Sequence, residues 1–144
     1  MTVPATTTLY IFSAVVRRDG RWLVVRKRHT ETFIQVGGKI EPGESPRDAL
    51  VRECHEEIGL EVDPPRVRAL GHHHAVAANE PDHVVDAHAF EVELPPGFEP
   101  EPRAELAEVR WIDPEHPVTP YPLAPLSRAL IARFGADQPG TPSR

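Results

Sequence analysis

The sequence predicts a mixed α/β (α+β) domain. Three observations carry that expectation. Several runs rich in β-branched and aromatic residues are separated by turn-forming residues, one stretch between them has both a start and a stop signal for a helix, and a later stretch carries apolar residues at helical spacing. At 144 residues the length suits one hydrophobic core rather than two. Residues 1–144 are therefore read as a single domain, with 1–8 and 136–144 as loose termini.

Leu9 to Val16 is apolar and β-rich, Arg18-Asp19-Gly20 is turn-like, and Arg21 to Lys27 is again strand-like, so the pair predicts a hairpin. Phe33 to Val36 predicts a short third strand running into Gly37-Gly38, where the chain must turn or something must approach the backbone closely. Ser45 as cap, Pro46 at the first helical position and Asp48 in the first turn predict a helix that Gly59 stops, giving Pro46 to Ile58. Val67 to Ala77 and Val84 to Leu94 predict two strands around the turn Asn79-Glu80-Pro81-Asp82, and Ala107 to Ile112 a further one. Pro95 to Pro102 reads as a connector, and Leu123 to Phe134 as a helix that tolerates Pro125 only in its first turn.

A formal net charge of −6 argues against a surface that coats nucleic-acid polymers, since such binding needs Lys and Arg to neutralise phosphates. A small phosphorylated ligand needs only a few local cations. No stretch approaches the roughly 18 apolar residues of a membrane-spanning helix, so no membrane partner is expected. The single cysteine, Cys54, permits no internal disulfide, and no signal-like segment precedes the first strand-like run, so a cytoplasmic location is expected.

On the helix Pro46 to Ile58, Leu50, Cys54 and Ile58 share one stripe, suited to a core, and Ala49, Glu53 and Glu57 share another, with Glu56 close by. Like charges so placed cost a few tenths of a kcal/mol each, so helix stability does not explain the cluster. Clustered carboxylate oxygens suit a hard divalent cation such as Mg²⁺, which takes a few carboxylates and leaves positions for water and phosphate. The alternative is a solvated acidic face with an ordinary Arg52–Glu56 pair.

The wider pattern bears on that choice. From Gly38 to Leu60 the chain reads GKIEPGESPRDALVRECHEEIGL, which resembles the Nudix box of the Nudix hydrolase (MutT-like) family: Gly38, Glu44, Arg52, Glu53, Glu56, Glu57, Gly59 and Leu60 fall in register, and Cys54 is the one departure. The resemblance implies an α/β/α sandwich with a mixed sheet between helices. It also implies hydrolysis of a diphosphate bond in a nucleoside diphosphate linked to another moiety, with Mg²⁺ as cofactor and Mn²⁺ as a substitute. Glu53, Glu56, Glu57 and the Gly37 carbonyl are then the implied metal ligands. Arg52 would orient Glu53, and Gly38 and Glu44 would shape the loop. Homodimers are common in the family, and the sequence leaves assembly open.

Two carboxylates are candidate general bases: Glu56, and Glu105, which stands where some relatives bring a loop glutamate to the metals. Arg26, Lys27, Arg28 and Lys39 are candidate phosphate contacts, although alternating basic residues on a strand also discourage edge pairing. Relatives that destroy oxidised guanine nucleotides read the base with an Asn near the last helix. Here that region is Thr119-Pro120-Tyr121-Pro122-Leu123, and the chain's one Asn is Asn79. Val36 stands where many relatives carry Pro. Phe33, Trp111 and Tyr121 are candidates to stack on a base or to fill the core.

His72-His73-His74, with His83 and His88, suggests a second reading as a transition-metal site, but a strand puts at most His72 and His74 of that run on one face. Two rival functions follow: a nucleotide-binding module without turnover, and a histidine-based zinc protein.

Overall fold

Asp19 and Gly20, both at positive φ (52° and 74°), turn strand β1 (Thr7–Arg18) into strand β2 (Arg21–Lys27), the geometry a two-residue hairpin requires. The computed structural model describes residues 6–136. Strand β3 (Val36–Lys39) is followed by helix α1 (Pro46–Ile58) and a short 3-10 turn at Pro64–Arg66. Strands β4 (Val67–Val76), β5 (His83–Glu93) and β6 (Leu106–Ile112) lead to helix α2 (Pro125–Phe134). The strands form one six-stranded sheet in the order β4-β5-β1-β2-β6, with β3 paired to β1 beside that path. β1 and β5 run parallel and the other pairs antiparallel, so the sheet is mixed.

The central strands read as continuous apolar runs because both faces are covered. Phe12, Ala14, Val16, Leu23, Val25, Phe90 and Val92 pack with Leu50, Cys54 and Ile58 of α1. The alternate residues Val15, Trp22, Val24, Val85, Ala87 and Ala89 pack with Leu126 and Leu130 of α2. The result is the expected α/β/α sandwich, with α1 and α2 on opposite faces.

Several boundaries differ from expectation. Thr7 and Thr8 are paired with His83 and Val84 rather than loose, because β5 supplies partners that sequence spacing does not reveal. Residues 1–5 and 137–144 lie outside the described part. The third strand begins only at Val36: Phe33 and Ile34 make isolated bridges to Leu123 and Val25. The paired glycines therefore lie within β3, opposite Ser13 and Phe12, and the chain does not reverse there. Helix α2 opens at Pro125 rather than Leu123, since Ala124 is in extended conformation and its N–H bonds the Phe33 carbonyl. The turn at Pro64–Arg66 was not anticipated.

Candidate active site

Helix α1 is held at both ends. Ser45 and Asp48 form a reciprocal capping box, and Gly59 in left-handed conformation (φ 74°) closes the C-terminus with bonds to His55 and, through Leu60, to Cys54. The stripe Ala49, Glu53, Glu57 faces inward. Ala49 is fully buried and Glu57 is 7% exposed, so a solvated acidic face is ruled out for Glu57. The carboxylate Oε2 of Glu57 has no hydrogen-bond partner among the described residues. Burial, and then the neighbouring Glu53 carboxylate, push the Glu57 pKa well up. Glu56 stands apart, with a side chain 54% exposed. Burial pushes the Cys54 thiol up to about 12, consistent with a small apolar filler.

Arg52 links the loop to the helix. Its Nε and Nη2 donate to the two Glu44 oxygens at 2.8 and 2.9 Å, and its Nη1 lies 2.5 Å from Glu53 Oε1 and 3.7 Å from Glu56. The Arg52 guanidinium and the Glu41 backbone hold Glu44 down to about 2. Glu44 in turn accepts from the Glu41 N–H at 3.1 Å, which closes the loop before the helix.

The glycines explain how β3 meets this helix. A Cβ on Gly37 would stand 2.7 Å from the Phe12 carbonyl oxygen, and one on Gly38 would stand 3.0–3.3 Å from the Glu53 side chain. The close approach expected at this pair is thus real, and at Gly38 the approaching group is Glu53. Among the described residues no three His, Cys, Asp or Glu side chains are already gathered to hold one ion. A hard cation needs no such cage, since Mg²⁺ takes one or two carboxylates and completes its shell with water and substrate oxygens. The unpartnered Glu57 oxygen beside Glu53 fits that donor set.

The loop before β6 reaches the C-terminal end of α1. The Arg103 N–H bonds the Glu57 carbonyl at 2.8 Å, and its guanidinium lies against Gly59, where a cation complements the helix terminus. Glu105, exposed and 3.8 Å from Lys27 Nζ, is near enough to raise the Glu57 pKa further. The structure therefore brings Glu53, Glu57, Glu105 and Lys27 together. Arg26 is directed elsewhere: it pairs with Glu108 at 2.7 Å, donates to the Thr30 carbonyl and lies over the Tyr121 ring. Arg28 is exposed, and its backbone N–H bonds the Glu105 carbonyl.

A cavity of about 340 Å³ opens between β1, β3, the turn after β4 and the start of α2. Lys27, Gly37, Gly38 and Lys39 line it, so Gly38 separates the cavity from Glu53. Asn79 also lines it, although the sequence placed that residue only in a turn. Sequence reasoning missed two lining residues, Gln35 and Ser127. Their signal was a polar side chain inside an apolar stretch: Gln35 between Ile34 and Val36, Ser127 beside Leu126. Phe33 is fully buried core, with Tyr121 6.4 Å away at the surface, and Trp111 packs partly buried against the core on the α1 side.

The histidine run follows its strand geometry. His72 and His74 lie 3.3 and 3.6 Å from Asp86, and the His72 ring lies tilted against that of His88, whereas His73 points away and its Nε2 donates to the Leu70 carbonyl.

No helix among the described residues is long and apolar enough to cross a membrane. A NUDIX domain family model matches residues 8–134. CTP pyrophosphohydrolase of Escherichia coli is 32% identical over 138 residues, covering 92% of this chain and 96% of that protein. In several other curated relatives the match spans under half of the protein. Among solved structures, the E. coli ORF135 protein aligns with a TM-score of 0.68 at 27% identity, over 98% of this chain and all of that one. A MutT NUDIX hydrolase from Burkholderia pseudomallei aligns with a TM-score of 0.72 at 20% identity, over 89% and 98%.

Proposed function

The chain belongs to the Nudix hydrolase family, and from that premise we propose that it is a Mg²⁺-dependent pyrophosphohydrolase cleaving a diphosphate bond in a nucleoside diphosphate linked to another group. The observation that carries this reading is the buried, unpartnered Glu57 oxygen set beside Glu53. A buried carboxyl oxygen without a partner is costly, and a bound cation would remove that cost.

Glu53, Glu56, Glu57 and the Gly37 carbonyl would hold the ion, with Mn²⁺ as a substitute. When bound, the ion screens phosphate charge and makes water more acidic. Arg52 fixes the Glu53 carboxylate and, through Glu44, the loop that carries it. Lys27 and Lys39, which line the cavity next to Gly38, would take phosphate oxygens as point charges. Arg26 and Arg28 remain candidates for longer substrates, but Arg26 must first release Glu108. The proton from the attacking water goes to Glu56 or Glu105, both exposed enough to pass it to solvent. A relative named for CTP puts nucleoside triphosphates ahead of nucleotide sugars as the first group to test. One buried thiol and no disulfide suit a reducing compartment such as the cytoplasm.

The test is a panel of nucleoside triphosphates, dinucleotides and nucleotide sugars with Mg²⁺ or Mn²⁺, with products identified. At least one should be split, and Glu53→Gln and Glu57→Gln should lose that turnover. Wild-type protein that splits none of them overturns the reading.

A further inference from the structure

We infer that Gln35 and Ser127 form a base-reading pair that selects a nucleobase carrying an amino group beside an unprotonated ring nitrogen, as cytosine and adenine do. The inference rests on the nucleotide-hydrolase reading above and deepens it by naming the base chemistry.

Both residues line the one cavity that also contains Lys27, Gly37, Gly38 and Lys39. Gln35 is 4% exposed and Ser127 1% exposed, yet Gln35 Oε1 and Ser127 Oγ have no hydrogen-bond partner among the described residues. Two such oxygens at one cavity are costly unless a ligand uses them. The fold ties together the segments that carry them: the Phe33 N–H bonds the Pro122 carbonyl, and the Ala124 N–H bonds the Phe33 carbonyl. Those two bonds lay the segment before β3 along the entry to α2, whose first turn carries Ser127.

The chemistry of the pair follows from what each side chain can exchange. Gln35 Nε2 donates to the Ala14 carbonyl at 3.3 Å. A carbonyl can only accept, so this bond orients the amide and leaves Oε1 as the group on offer. The Gln35 Oε1 therefore requires a donor, such as an exocyclic amine. Ser127 can donate or accept by rotating its hydroxyl. Against cytosine or adenine it donates to the ring nitrogen beside the amine. Against uracil or hypoxanthine the Ser127 hydroxyl can reverse, but the Gln35 oxygen would face a carbonyl oxygen. Discrimination accordingly belongs to Gln35, and affinity without discrimination to Ser127. Leu9, Ile11 and Leu126 in the same wall are available to cover the flat of a ring.

The test is calorimetric binding of mononucleotides to the full chain, which needs no turnover. CMP is compared with UMP and with N4,N4-dimethyl-CMP, and AMP with IMP, using wild-type protein, Gln35→Met and Ser127→Ala. In whichever pair binds, the amino form should bind roughly tenfold or more tighter than the oxo form. The dimethylated ligand, which lacks the donor, should fall to the UMP level. Gln35→Met should abolish the preference, and Ser127→Ala should weaken both members of the pair about equally. Equal binding of amino and oxo forms by the wild type, full retention of affinity by the dimethylated ligand, or no binding in either pair overturns the inference. The ligand series keeps it falsifiable even if Gln35→Met does not fold. Amino-selective binding without hydrolysis of any phosphoanhydride would sink the enzymatic reading alone. Hydrolysis without base selectivity would sink this one alone.

Discussion

Arg52 and Glu44 meet at two points, Nε to Oε2 at 2.8 Å and Nη2 to Oε1 at 2.9 Å. A planar guanidinium can meet both carboxylate oxygens and still present Nη1 to Glu53, at 2.5 Å. The loop and the carboxylate that would hold a cation are thereby tied to one side chain.

Arg52→Lys replaces that fork with a single ammonium, which cannot serve Glu44 and Glu53 together. Turnover should fall by roughly tenfold to a hundredfold, as a change of about 1.4 kcal/mol per decade in the barrier, while KM moves little. Steady-state kinetics on the best substrate decides it, and a lysine variant with wild-type kcat would count against the linking role.

Glu44 also sets a pH dependence. Its folded-state pKa of about 2 lies below the ordinary 4.5, chiefly through the Arg52 hydrogen bonds. Between those values the unfolded chain binds more protons than the folded one, so this contribution is complete above about pH 4.5 and is lost as pH falls toward 2. Melting temperature measured from pH 6 down to 2 should fall less steeply for Glu44→Gln than for the wild type. Parallel curves would show that the pair does not stabilise the fold.

Glu57 is buried with an unpartnered oxygen, so an apolar replacement removes a desolvation cost as well as a metal ligand. Glu57→Leu should stabilise the metal-free protein by about 1–3 kcal/mol. Added Mg²⁺ should raise the melting temperature of the wild type and leave the variant unmoved. A variant that Mg²⁺ still stabilises would remove Glu57 from the ion site.

The two glycines of β3 should respond differently to alanine. At Gly37 the new Cβ would meet backbone, the Phe12 carbonyl at 2.7 Å, which can yield only by moving a central strand. At Gly38 it would meet the movable end of Glu53 at 3.0–3.3 Å. Gly37→Ala should cost about 1–3 kcal/mol of stability. Gly38→Ala should melt near the wild type yet lose turnover. Paired thermal melts and assays decide it, and the reverse ordering would contradict the packing described for β3.

Local chemistry was readable from the residues alone. The limits of α1 follow from Ser45, Pro46 and Gly59, whose effects act within a turn of chain. The hairpin follows from Asp19-Gly20 in the same way. The spacing from Gly38 to Leu60 was enough to expose the family resemblance, and Arg52 does join Glu44 to Glu53.

Whatever depended on distant neighbours was not readable. A one-dimensional pattern places Glu53, Glu56 and Glu57 on nearly one face, but burial of Glu57 and exposure of Glu56 depend on where β3 and the Arg103 loop lie against the helix. Likewise the orientation of the Gln35 amide is set by Ala14, 21 positions away, whose carbonyl takes an amide hydrogen and leaves Oε1 without a partner among the described residues. The sequence by itself determined the elements, their caps and the acidic helix, because those arise from contacts a few residues apart. Tertiary structure alone decided which side chains share a cavity and which polar atoms are left wanting a partner, because both depend on solvent exclusion by segments that meet only when the sheet closes.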